Sequence, residues 1–82
     1  MRVRVEFTTE PFHGEGEPPE HVRAAADTLA EAGLQPDLGP FGTCVDGPSA
    51  QLLPALAAAL QAALRGGATR VTVQLERVTD DE

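Results

Sequence analysis

The chain contains no lysine, no tyrosine and no tryptophan, and a single cysteine. Without lysine its positive charge rests on six arginines, set against thirteen aspartates and glutamates, for a formal net charge of −7. That balance makes nucleic acid an improbable partner, because phosphate backbones are held by clustered basic side chains. Anionic membranes are disfavoured for the same reason, and no apolar run approaches the roughly 18 to 20 residues that a membrane span requires. Small positively charged molecules are the electrostatically welcome guests. Lone Cys44 excludes an internal disulfide and a thiolate metal cage built from one chain. The shortage of aromatics leaves Phe7, Phe12 and Phe41 as the only large rings. The apolar 41% is therefore mostly Ala, Leu and Val, which bury little area per side chain. With 82 residues the chain is close to the size at which a core barely offsets chain entropy, so association with further copies is expected. Its first residues alternate Arg and Val instead of running from a basic patch into an apolar stretch, which shows no secretory signal and makes the cytoplasm the expected compartment.

What is present is organised by period. Val3, Val5 and Phe7 alternate with Arg2, Arg4, Glu6 and Thr8, which predicts a strand over about residues 2 to 9 with one buried face. Pro11 to Pro19 reads as a loop. From Pro18 or Pro19, with Glu20 near the positive end of the helix dipole, Val22, Ala25, Ala26, Leu29 and Ala32 fall on one helical face. Gly33 stops that helix, and Leu34 packs back on its last turn. Residues 34 to 39 contain Pro36 and are expected at a sheet edge, paired with residues 42 to 47 in a hairpin through Gly39 and Pro40. Ser49 is expected to cap a second helix with a Leu53, Leu56, Leu60 and Leu64 face. Pro54 demands either a distorted first turn or a start near Leu53. After Gly66 and Gly67, Val71, Val73 and Leu75 alternate with Arg70, Thr72, Gln74 and Glu76 in a last strand.

The order β-α-β-β-α-β, with right-handed crossovers, gives an α+β ferredoxin-like sandwich: a four-stranded antiparallel sheet with two helices on one face. A single domain is expected over residues 1 to 79, followed by an acidic tail at 80 to 82. Arg4, Glu6, Thr72, Gln74 and one parity of residues 42 to 47 then look out from the helix-free face.

Residues 39 to 47 carry the most legible chemistry. Gly39, Gly42 and Gly47 let the backbone turn or approach another group without a Cβ, and Pro40 holds φ near about −65°. Thr43 offers a hydroxyl and Asp46 a carboxylate, a polar and cation-friendly pair. Other candidates point to less. His13 and His21, eight residues apart, match no tight metal spacing and are expected as exposed loop histidines. Cys44 has no histidine adjacent in sequence to make a thiolate, and is expected as a small buried or half-buried residue. Gly14-Glu15-Gly16-Glu17 has no lysine and brings negative charge where a phosphate would sit. No catalytic residue, metal ligand or cofactor is assigned.

Taken together, Val5-Glu6-Phe7-Thr8 with Pro11, Gly33-Leu34, Pro40-Phe41-Gly42-Thr43 running into Val45-Asp46-Gly47, and Gly67-Ala68-Thr69-Arg70-Val71 resemble the thiamine-binding protein family of small YkoF-like domains over nearly the whole chain. In family terms Asp46 stands where glutamate is usual and Phe41 where methionine is common. The family's serine-rich stretch before the first helix is Glu17-Pro18-Pro19-Glu20 here, so the hydroxyl contacts of that loop are missing. Its closing strand tends to end in an acidic pair followed by Arg, where this chain has Val78-Thr79.

The resemblance implies a homo-oligomer, dimer or tetramer, that binds thiamine or its hydroxymethylpyrimidine portion without catalysis. Its ligand-binding residues would be Glu6, Thr8, Phe12, Phe41, Gly42, Thr43 and Asp46. Glu6 and Asp46 would supply charge to the permanently positive thiazolium. Thr43 and amides near Gly42 would orient the aminopyrimidine, and Phe41 or Phe12 would cover a ring face. The alternative is an oligomer-forming structural or regulatory domain with no small-molecule ligand.

Overall fold

Alternation along the first strand builds the floor of the molecule. In the computed structural model, which describes residues 1–11, 17–39 and 42–79, β1 (Arg2–Glu10) buries Val3, Val5, Phe7 and Thr9 on one side and turns Arg2, Arg4, Glu6, Thr8 and Glu10 to the other. It is followed by α1 (Glu20–Glu31), β2 (Asp37–Gly39), β3 (Gly42–Pro48), α2 (Ser49–Arg65) and β4 (Arg70–Thr79). The strands lie in the order β2-β3-β1-β4, each antiparallel to its neighbours, with β2 and β4 at the edges. This is the ferredoxin-like α+β arrangement that the element order implied.

The core is one cluster of Val3, Val5, Phe7 and Val45 from the sheet with Ala25, Leu29, Leu52, Leu56, Ala59 and Ala63 from the helices. Both helices end the same way. Gly33 (φ 89°) follows α1 and Gly67 (φ 112°) follows α2, and glycine reaches this left-handed region without a Cβ penalty. The Leu34 amide donates to the Leu29 carbonyl at 3.1 Å and the Ala68 amide to the Ala63 carbonyl at 3.0 Å, and both residues after the glycines are buried. These bonds satisfy carbonyls that a helix end leaves open and tuck an apolar side chain under the last turn.

Several expectations change in detail. The strand placed at 34 to 39 is only Asp37–Gly39, because Pro36 just before it has no amide to give a ladder. Ser49 is not the cap of α2. Pro48 occupies that position in extended geometry, and the Ser49 amide donates to the Met1 carbonyl at 2.9 Å. The helix neither starts at Leu53 nor breaks at Pro54; it runs from Ser49, and exposed Pro54 is carried on its solvent side.

The buried face of α2 is Leu52, Ala55, Leu56, Ala59 and Ala63, one step round from the predicted leucine row. Small alanines allow the close helix pairing that this core uses. Leu60 is left partly buried, with Leu53 and Leu64 exposed. His21 is not an exposed loop histidine: it lies in the first turn of α1 and is only 4% exposed. Its Nδ1 and the Thr9 hydroxyl share a hydrogen bond at 2.6 Å, and its Nε2 is buried with no partner among the described residues. Phe12, His13, the Gly14–Gly16 stretch, Pro40, Phe41 and the tail at 80 to 82 lie outside the described residues.

Candidate functional site

The helix-free face is organised in rows that cross the strands. In one row Asp37 pairs with Cys44, Cys44 with Glu6, and Glu6 with Gln74. Directly opposite residues of an antiparallel ladder share a face, so all four stand on the open side. In the next row Gly39 pairs with Gly42, and Thr8 with Thr72. Two glycines and two threonines leave the sheet almost bare there. On the far side, the row Asp46, Arg4 and Glu76 carries long charged side chains. A low row beside a taller one makes a hollow, and a cavity of about 530 Å³ lies here. That volume is within the usual range for a small-molecule site, roughly 300 to 1,000 Å³.

Gly42 makes the floor possible. A Cβ there would lie 3.1 Å from both the Phe7 carbonyl oxygen and Thr8 Cγ2. Gly47, further along the same strand, points the other way: a Cβ on it would come within 2.8 Å of Leu34 Cδ2. Neither residue has a positive φ. Their role is close approach, not the turning of the chain.

The field over the floor is acidic. Cys44 is half-buried, and its thiol is pushed above its ordinary value, first by burial and next by the Glu6 carboxylate; Asp46 and Asp37 act in the same direction and Arg4 opposes them. Carboxylates that disfavour a thiolate favour a cation in the same space. The geometry therefore suits a positively charged guest and does not activate Cys44 as a nucleophile. Among the described residues no three His, Cys, Asp or Glu side chains converge on a metal position, and no helix is long and apolar enough to cross a membrane.

Of the residues singled out from sequence, Glu6, Thr8, Gly42 and Thr43 line the cavity. Thr43 is buried and shares its face with Val45, so by strand alternation it meets the hollow through its backbone. Asp46 does not line the cavity. It lies one row away, where Arg2 Nη2 donates to its Oδ1 at 3.3 Å. Phe12 and Phe41 fall outside the described residues. Sequence reasoning missed Asp37, Cys44, Thr72 and Gln74 as lining residues. The hairpin register held the signal for the first two, since counting back from the Gly39–Gly42 pair sets Asp37 opposite Cys44.

A family model described as thiamine-binding protein matches residues 5–80. No curated protein matches the chain. Among solved structures, the chain is similar to a hypothetical protein from Methanocaldococcus jannaschii, at 22% identity and a TM-score of 0.68, covering 99% of this chain and 84% of that one. It is similar also to a domain of unknown function from Bacillus cereus, at 23% identity and a TM-score of 0.64, covering 92% and 72%. A protein from Thermotoga maritima assigned provisionally to thiamine biosynthesis or salvage matches at 21% identity and a TM-score of 0.63, covering 93% and 81%. At these identities the solved structures speak for the fold.

Proposed function

The chain belongs to the thiamine-binding protein family, and from that premise we propose that its open sheet face captures thiamine or its hydroxymethylpyrimidine portion non-covalently, with no catalytic step. The observation that carries this reading is the acidic hollow floored by Gly39 and Gly42. Thiamine joins a permanently positive ring to a flat aminopyrimidine. Glu6 and Asp37 offer charge to the first, while Thr8, Thr72, Gln74 and the main chain around Gly42 offer hydrogen bonds to the second. Phe12 and Phe41 are assigned to cover a ring face. Asp46 acts at longer range, through the field that it adds with Glu6. Thiamine phosphates fit less well, because among the described residues no arginine lines the hollow, and Arg4, one row away, faces Glu76 at 3.9 Å. The setting is cytoplasmic, in a homo-oligomer.

Isothermal titration with thiamine and with hydroxymethylpyrimidine tests the reading. Heat of binding and a rise in melting temperature are expected for at least one of them. Silence from both at millimolar ligand would overturn it.

A further inference from the structure

Beyond the Glu6–Gln74 pair the open face holds a second, smaller cavity of about 290 Å³, lined by Arg4, Glu6, Gln74, Leu75 and Glu76. Glu6 and Gln74 line both cavities, so these two opposed side chains are the boundary between them. Leu75 pairs with Val5 on the helix side of the sheet and meets the smaller space through its backbone. What remains is a charged cup, with Arg4 opposite Glu76 and Glu6 beside them. The larger hollow has glycines and threonines where this one has full charges.

The charges around the cup are not equally free. Arg4 has an acid on either side, Asp46 across β3 and Glu76 across β4. Asp46 is taken by Arg2, whose Nη2 donates to its Oδ1 at 3.3 Å, so Glu76 is the carboxylate that answers Arg4. Two carboxylates against one guanidinium leave the cup net negative, and it opposes an anion although it contains an arginine. Without the Glu76 charge that arginine would be released, and its planar fork of donors matches phosphate oxygens.

We propose that Glu76 sets this site's choice between the free alcohol and the phosphate ester of its ligand. The inference rests on the thiamine reading and deepens it. Thiamine is two rings joined by one methylene, with a hydroxyethyl arm on the positive ring. The pyrimidine rests over the Gly39–Gly42 floor, the positive ring meets Glu6 at the boundary, and the arm extends into the cup. There the alcohol donates to the Glu76 carboxylate and accepts from the Arg4 guanidinium. A phosphate on the same oxygen brings nearly two negative charges against Glu6 and Glu76. One exposed glutamate thus turns a latent phosphate site into one for the dephosphorylated ligand.

Isothermal titration of the full chain at low salt with thiamine, thiamine monophosphate and hydroxymethylpyrimidine, for the wild type and Glu76→Gln, tests this. The side chains of Arg4 and Glu76 are 43% and 68% exposed, so substitution there leaves the core intact. The wild type should prefer thiamine to its monophosphate. In Glu76→Gln thiamine should weaken about two- to three-fold and the monophosphate should tighten about three- to ten-fold, because phosphate carries more charge than one partner of an ordinary surface pair. Hydroxymethylpyrimidine, which lacks the arm, should bind both proteins alike. Adding Arg4→Gln should remove the gain for the monophosphate.

Thiamine binding with the preference between alcohol and ester unmoved by Glu76→Gln would overturn the role of Glu76 and leave the thiamine reading of the hollow standing. So would a gain that survives Arg4→Gln, a wild type that prefers the monophosphate, or one that binds hydroxymethylpyrimidine alone. Equal effects of Glu76→Gln on thiamine and hydroxymethylpyrimidine would overturn the placement of the arm. A wild type silent to all three would overturn the thiamine reading, and this inference with it.

Discussion

The two faces of β3 use the same residue type to opposite ends. On the helix side, the space left by Gly47 is filled by Leu34, whose Cδ2 stands 2.8 Å from where a Cβ would be. On the open side, Gly42 and its β2 partner Gly39 have neighbours 3.1 to 3.3 Å from where a Cβ would be, yet no side chain rises above them and they become a floor. An absent side chain is thus a packing device on one face and a receptor on the other. What separates the two is that an apolar side chain from outside the sheet caps the gap on the helix side, whereas among the described residues no element covers the open side.

Substitutions on the helix side should cost the most. Leu52→Ala removes a fully buried side chain from the core and should lower stability by about 2 to 5 kcal/mol in urea denaturation. Gly47→Ala forces Leu34 aside and should cost about 1 to 3 kcal/mol by the same measurement. Gly42→Ala needs only a few tenths of an ångström of give, and its main effect should fall on binding: a stability loss below about 1 kcal/mol with a clear loss of thiamine affinity. Equal stability losses at Gly42 and Gly47, with binding untouched, would break the contrast between the faces.

Charge removal sharpens it further. Glu6→Gln and Asp37→Asn should each weaken thiamine binding by roughly two- to five-fold at low salt, as for a solvent-facing ion pair, with no change in melting temperature. Unchanged affinity would make both carboxylates bystanders. The smallest effect concerns Cys44. Because its thiol is raised, alkylation by iodoacetamide should lag behind that of free cysteine at mildly alkaline pH and catch up only in more alkaline solution. Glu6→Gln should move that profile back toward ordinary cysteine.

The architecture was legible because period, glycine stops and element order agree: β1, both helix ends and the β2–β3 hairpin sit close to where alternation and Gly33 or Gly67 put them. The inner face of α2 was misjudged because leucine outranks alanine in hydrophobicity, whereas close helix packing selects small residues. His21 was taken for a loop residue because its partner, Thr9, is twelve positions away and becomes visible only when β1 passes beneath α1. The cavity was half legible. Glu6, Thr8 and Gly42 follow from strand parity, which also put Thr72 and Gln74 on the open face; the β1–β4 register that sets Gln74 beside Glu6 and Thr72 beside Thr8 is what a single sequence does not display.

β1 occupies an inner position in the sheet, with β3 on one side and β4 on the other, and Arg2 is paired with Thr79. Within this domain the first strand therefore acquires its second neighbour only from the last one, across almost the whole of the described sequence. Until then one row of its amides and carbonyls is open to solvent. Closing the sheet is a long-range event, and the cost of loop closure falls on the β1–β4 pairing more heavily than on the β2–β3 hairpin.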